Sequence, residues 1–246
     1  MRASISSICA RLQRLTPNTD YWLLLMLLLA GAFWFYRLED PDGFVFDETY
    51  YVQAARVIDG QPVQPEGLPG DWFSSGDPNR EHPPLAKVII AGGLHLIQAP
   101  GVSWRFPSIL FGYLSLISVY AIVRKLGNLS TARWAVALLL TENLFFIHSR
   151  IATLDIYVVG LSLAAIALYL FKRPELSALA LGLGTACKIN GMFSVAVIIC
   201  YELFDWAAHR KTDARFNFRF KPLLAFLAFY VPFFLLVLGA LDNQWT

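Results

Sequence analysis

An all-α polytopic membrane protein is the fold class this sequence predicts, and three observations carry it. Of 246 residues, 57% are hydrophobic and only 15% charged, with a mean hydropathy of +0.51; that balance excludes a disordered chain and disfavours an ordinary soluble domain. Apolar runs recur along the whole chain, separated by short polar stretches. The basic residues gather at alternate ends of these runs, as expected when cytoplasmic loops collect Lys and Arg. A net charge of +2 is too small to point to nucleic acid. Cys9, Cys187 and Cys200 show neither metal spacing nor a disulfide framework.

The first run, Tyr21–Leu38, follows Arg2, Arg11 and Arg14 and carries aromatic residues at both ends. No small-residue cleavage site follows it, so it reads as an uncleaved first span with interfacial belts. Residues 39–104 form the first outer loop, and their stretch 39–84 is polar, rich in Gly and Pro, and cannot cross lipid. Within them, 48–58 predicts a short helix with Tyr51, Ala54, Ala55 and Ile58 on one face, lying at the interface. After Pro83 and Pro84, residues 85–98 are apolar but shorter than the roughly 20 residues a crossing needs, and read as a second interfacial helix. Further spans are predicted over 106–123, 132–147, 156–171 and 223–241. The long run 176–206 is interrupted by Lys188-Ile189-Asn190-Gly191, and reads as two short spans meeting at Lys188.

Loop charge arbitrates the ambiguous segments. With a cytoplasmic N-terminus, 85–98 returning to the outer face and 176–206 crossing twice, there are seven spans in one transmembrane domain covering 1–246. Arg124, Lys125, Arg133, Lys172, Arg173 and the basic stretch 210–221 then all lie inside. The same topology places Asp47, Glu48, His82, Arg105, Arg150, Asp155 and Lys188 on the outer face.

Each of these residues also has a plainer reading. Asp47 and Glu48 could cap the helix they begin, Lys188 could snorkel, and Arg105 and Arg150 could be interfacial anchors. Asp155 could pair with Arg150 or cap the next span, and His82 could be an ordinary loop histidine. Together they suit one chemistry. Arg and Lys at a membrane surface bind phosphate, and a carboxylate beside them can act as a general base on a hydroxyl. A substrate with a lipid tail and an interfacial phosphate would meet both.

Five ordered blocks then carry a resemblance: Phe46-Asp47-Glu48-x-x-Tyr51; His82-Pro83-Pro84-Leu85-Ala86-Lys87; Trp104-Arg105 with Gly112; Ser149-Arg150-Ile151-Ala152-x-Leu154-Asp155; and Gly184-x-x-x-Lys188-x-x-Gly191. The chain resembles the dolichyl- or polyprenyl-phosphate-mannose protein mannosyltransferases, especially their bacterial members, within the GT-C glycosyltransferases. The resemblance covers about residues 20–200. It implies a GT-C fold and an inverting transfer of a sugar, expected to be mannose, from a polyprenyl-phosphate carrier to a protein or lipid hydroxyl. Asp47 would be the base, Glu48 would place the acceptor, and Arg105, Arg150 and Lys188 would hold the donor phosphate, with His82 and Asp155 in support. Related lipid-sugar transferases sometimes use a metal, and a divalent ion near Asp47, Glu48 and His82 is the cofactor candidate. The implied location is the bacterial plasma membrane, with the site on the outer face.

Two departures qualify the match. Ile189-Asn190 stands where the family commonly has Trp and a small residue. Family members are also longer, with a second large outer loop. The competing expectation is therefore a non-catalytic member serving as a subunit of a larger membrane complex. A transporter is disfavoured, because its polar residues should lie near mid-membrane.

Overall fold

The computed structural model describes residues 20–62, 79, 81–209 and 221–243. The N-terminal Arg residues, Cys9 and the 210–220 part of the basic loop lie outside them. The described residues are mostly helical. In chain order the elements are α1 (Tyr21–Phe35), α2 (Glu48–Asp59), α3 (Leu85–Leu96), α4 (Val102–Leu126), α5 (Leu129–Thr141), α6 (Asn143–His148), α7 (Leu154–Leu170), α8 (Pro174–Cys187), a 3-10 turn (Ile189–Phe193), α9 (Ser194–His209) and α10 (Lys221–Asn243).

Helices lie over the expected segments, with three local differences. Helix α2 buries Tyr51, Val52, Ala54 and Ala55, whereas Ile58, expected on that face, is 44% exposed. Helix α4 begins four residues before its apolar run and takes in Pro107 as its sixth residue, where the ring leaves the Ser103 carbonyl without its i+4 amide. The expected span 132–147 is two helices, α5 and α6. Glu142 sits between them in extended backbone and its carboxylate accepts from the amides of Leu144 and Phe145 at 3.1 and 2.6 Å. A side chain that satisfies these orphan amides starts a new helix.

Among the described residues, Val102–Leu126 and Ile189–Ala207 are long and apolar enough to cross a membrane. Tyr21–Phe35, Leu85–Leu96, Leu129–Thr141, Leu154–Leu170 and Pro222–Leu236 are apolar but shorter.

Helices α4, α7 and α8 pack side by side at the centre, with α1 and α5 against α4 on one flank and α10 against α8 on the other. Helices α2 and α3 pair with each other, and α3 leans on the start of α4. One apolar core joins α1 to α7 around Trp34, which is fully buried and meets Tyr113 and Phe145 edge-on at 5.2 and 6.0 Å. A second core joins α7 to α10. There Phe226, Tyr230 and Phe234 stack at 5.6 and 5.9 Å along one face of α10, as i,i+4 spacing requires.

Polar contacts mark the two ends of the bundle. At one end Asp20 caps α1 and receives Arg133 Nη2 at 2.7 Å and Tyr120 Oη at 2.7 Å. This joins the start of α1, the end of α4 and the start of α5. The Arg133 guanidinium holds the Asp20 carboxyl well below the usual carboxylate range. Asp20→Ala should lower stability by about 1–3 kcal/mol, the cost of stranding charge-assisted hydrogen bonds, read as a fall in melting temperature in detergent. A depressed carboxyl pKa contributes stability above the unfolded value and loses it as pH falls through the folded one. The difference between wild type and Asp20→Ala should therefore shrink in strong acid.

Candidate functional site

The opposite end of the bundle holds the residues singled out from the sequence. Phe46 has a φ of +53°, a left-handed turn that starts α2 immediately afterwards. As adjacent residues on a helix, Asp47 and Glu48 point in different directions. Glu48 is fully buried. Its Oε1 accepts from Arg105 Nε at 3.0 Å and the Ala152 amide at 2.8 Å. Its Oε2 accepts from Arg105 Nη2 at 3.0 Å and the Val45 amide at 2.8 Å. Arg105, 1% exposed, gives its remaining donors to the carbonyls of Leu38, Pro41 and Gly43. A guanidinium has five N–H groups, and these contacts occupy them. The pair ties the first loop, the start of α4 and the approach to α7 into one knot, and leaves Arg105 no donor for a phosphate. Any influence of Glu48 on an acceptor is exerted through the loop it braces.

Asp47 occupies the N-cap position of α2 but makes no side-chain capping bond. Among the described residues its carboxylate accepts one hydrogen bond, from Tyr51 Oη to Oδ2 at 3.2 Å. Tyr51 lies one helical turn on, is 3% exposed, and has its phenol pushed upward, first by burial and then by the Asp47 charge. It therefore stays protonated and donates. The sequence placed Tyr51 in a motif without giving it a role; its i,i+4 spacing from Asp47 was the available signal.

Lys188 ends α8 in extended backbone and donates from Nζ to Asp155 Oδ1 at 2.8 Å. Asp155 thus pairs with Lys188 rather than with Arg150. The two glycines around Lys188 make this turn compact. A Cβ on Gly191 would come within 2.8 Å of the Thr185 amide nitrogen, and one on Gly184 within 3.2 Å of Leu161 Cβ. His82 completes the group. Its ring centroid is 6.3 Å from that of Tyr51, and its Nδ1 is buried without a hydrogen-bond partner among the described residues. Burial, then the Lys188 charge, push the imidazole pKa below its ordinary value, so it is neutral at physiological pH. Below pH about 6.5, the unfolded chain takes up this proton before the folded one does, and stability falls with falling pH. His82→Asn should flatten that acid limb, seen as a smaller melting-temperature drop between pH 7.5 and pH 5.

Arg150 lies apart from Lys188. It donates from Nη2 to the carbonyls of Tyr36 and Arg37 at 2.6 and 3.0 Å, at the end of α1. A mainly apolar cavity of about 400 Å3, walled by Leu139, Phe145, Ile156 and Val159 but also lined by Glu142 and His148, opens at Asp155. Among the described residues, no three His, Cys, Asp or Glu side chains gather as a metal ion would require.

Comparison with known proteins fits this arrangement. The family described as Dolichyl-phosphate-mannose-protein mannosyltransferase matches residues 81–236. The polyprenol-phosphate-mannose–protein mannosyltransferases of Mycolicibacterium smegmatis and Mycobacterium tuberculosis are each 26% identical, over 77% and 80% of this chain and 45% of theirs. Dolichyl-phosphate-mannose–protein mannosyltransferase 1 of Candida albicans is 28% identical over 78% of this chain and 24% of its own length. The chain thus spans less than half the length of these relatives. The S. cerevisiae protein O-mannosyltransferase Pmt1–Pmt2 complex bound to the sugar donor superposes with a TM-score of 0.72 over 94% of this chain and 35% of that one, at 22% identity. The all-helical GT-C-like fold expected from the sequence is therefore shared with a solved relative. The chain belongs to the dolichyl-phosphate-mannose-protein mannosyltransferase family.

Proposed function

We propose that this chain transfers mannose from a polyprenyl-phosphate carrier to a protein hydroxyl, with inversion, at the outer face of a bacterial plasma membrane. The observation that carries this reading is the division of labour between adjacent acids. Among the described residues, Glu48 is consumed by Arg105 and two amides, whereas Asp47 is held by a single phenol and keeps acceptor capacity.

In this reaction the acceptor hydroxyl oxygen attacks the anomeric carbon from the side opposite the phosphate. Asp47 takes the hydroxyl proton. The bond between the anomeric carbon and the phosphate oxygen breaks, and polyprenyl phosphate departs with the electron pair. Lys188, oriented by Asp155, faces that developing charge, and the neutral His82 beside it supports the site without adding a competing cation. The mainly apolar cavity at Asp155 suits the first units of the carrier's tail. The topology proposed with this reading has seven spans, a cytoplasmic N-terminus and this end of the bundle outside.

The names of the family and of the bacterial relatives support the donor class. A second reading, a membrane subunit without transferase activity of its own, is favoured by the two-protein assembly of the solved neighbour. Purified protein incubated with polyprenyl-phosphate mannose and Ser/Thr peptides should give a peptide one hexose heavier by mass spectrometry, and Asp47→Asn should not. Donor retention with no product from the wild-type chain would select the second reading.

A further inference from the structure

On the flank away from Lys188, α1, α5 and α6 enclose an apolar groove of about 470 Å3, lined by Met26, Leu29, Phe33, Leu140 and Phe146, with Asn143 at the α5–α6 break. That volume is within the roughly 300–1,000 Å3 typical of ligand pockets. Leu29 and Phe33 are 36% and 55% exposed, so the groove opens sideways from the bundle. It shares no residue with the Asp47–Lys188 group or with the cavity beside Asp155.

A cation sits over one end of it. The Arg150 guanidinium stands 5.7 Å above the centroid of Phe146, one of the groove's walls. Its Nη2 is anchored on the carbonyls of Tyr36 and Arg37, just beyond Phe33 on the same chain segment. Its Nε is buried and has no hydrogen-bond partner among the described residues. Glu39 and Asp40 are near enough to favour its charge and Arg105 disfavours it, but among the described residues no carboxylate pairs with Arg150; Asp40 is engaged by Arg37. An unpaired, half-desolvated guanidinium beside an apolar groove is complementary to one kind of membrane component, an anion with a hydrocarbon chain.

We propose that this groove is a binding site for an anionic phospholipid of the surrounding bilayer, with an acyl chain between α1, α5 and α6 and the headgroup phosphate on Arg150. The site rests on membrane insertion and not on the transfer reaction. Bound there, the lipid tethers the end of α1 to the α5–α6 break, next to the loop that carries Asp47.

The test is native mass spectrometry of the detergent-purified full chain titrated with phosphatidylglycerol or with phosphatidylcholine of the same acyl chains. The expected result is one retained phosphatidylglycerol and no comparable retention of phosphatidylcholine. Arg150→Gln should abolish this headgroup preference. Ala137 also lines the groove, and Ala137→Phe, which fills it from α5 and leaves Arg150 in place, should lower phosphatidylglycerol retention and decides the matter if Arg150→Gln does not fold. Equal retention of both lipids, retention unchanged by Ala137→Phe, or displacement of phosphatidylglycerol by equimolar polyprenyl phosphate would each overturn the proposal, the last by making the groove a carrier site.

Discussion

Arg105→Ala should destabilise the protein by about 3–5 kcal/mol, because removing one member of a buried ion pair leaves the other charge uncompensated. The geometry allows little relief. Glu48 would keep only the Val45 and Ala152 amides, and the carbonyls of Leu38, Pro41 and Gly43 would lose their donor together. Arg105→Lys should rescue little. One ammonium cannot span a carboxylate and three carbonyls that a planar fork reaches at once. Glu48→Ala should cost a comparable amount, since it strands the guanidinium and two amides. The double variant should then be clearly less destabilised than the sum of the singles, by the coupling of directly contacting residues. The measurement is a double-mutant cycle by equilibrium or thermal unfolding in detergent. Additive singles, or an Arg105→Ala variant within about 1 kcal/mol of wild type, would remove the knot from the account of this fold.

That pair also shows where sequence reading stops. The apolar runs and the interruption at Lys188 were legible, because each is set by local composition. So was the gathering of Asp47, Glu48, His82, Arg105, Asp155 and Lys188 at one end, because loop charge and span length fix which end each residue occupies. Their pairing was not legible. Glu48 and Arg105 lie 57 positions apart, and Lys188 and Asp155 lie 33 apart; nothing local tells an arginine that will bind phosphate from one that will be buried by three carbonyls. The break at Glu142 was hidden for a related reason. Hydropathy runs on through it, and only the carboxylate's reach to the next two amides ends one helix and starts another. The role of Asp20 was not legible for the same reason: its partner Arg133 is 113 residues away, at the opposite end of the bundle from Glu48.

Asp47→Asn is the second variant of large expected effect, and it should act on rate rather than on stability. Asn keeps the size of the side chain and an oxygen that can accept from Tyr51, so the start of α2 should stay as it is. Asp47 makes no capping bond that could be lost, and the Glu48–Arg105 pair does not involve it. The melting temperature should therefore stay near wild type, as for substitutions that create no cavity and strand no buried charge. An amide cannot take the acceptor's proton, and losing a positioned base should lower transfer by about 10²–10⁴-fold with donor retention unchanged. Tyr51→Phe offers a graded control. It leaves the base in place and removes the phenol that aims it, worth about 1 kcal/mol for one hydrogen bond, or roughly fivefold in rate. Glu48→Gln should behave differently from both, losing stability and transfer together, because its carboxylate holds the loop that carries the base. A transfer rate for Asp47→Asn within tenfold of wild type, in a chain that melts normally, would take the proton from Asp47 and require another acceptor at this end of the bundle.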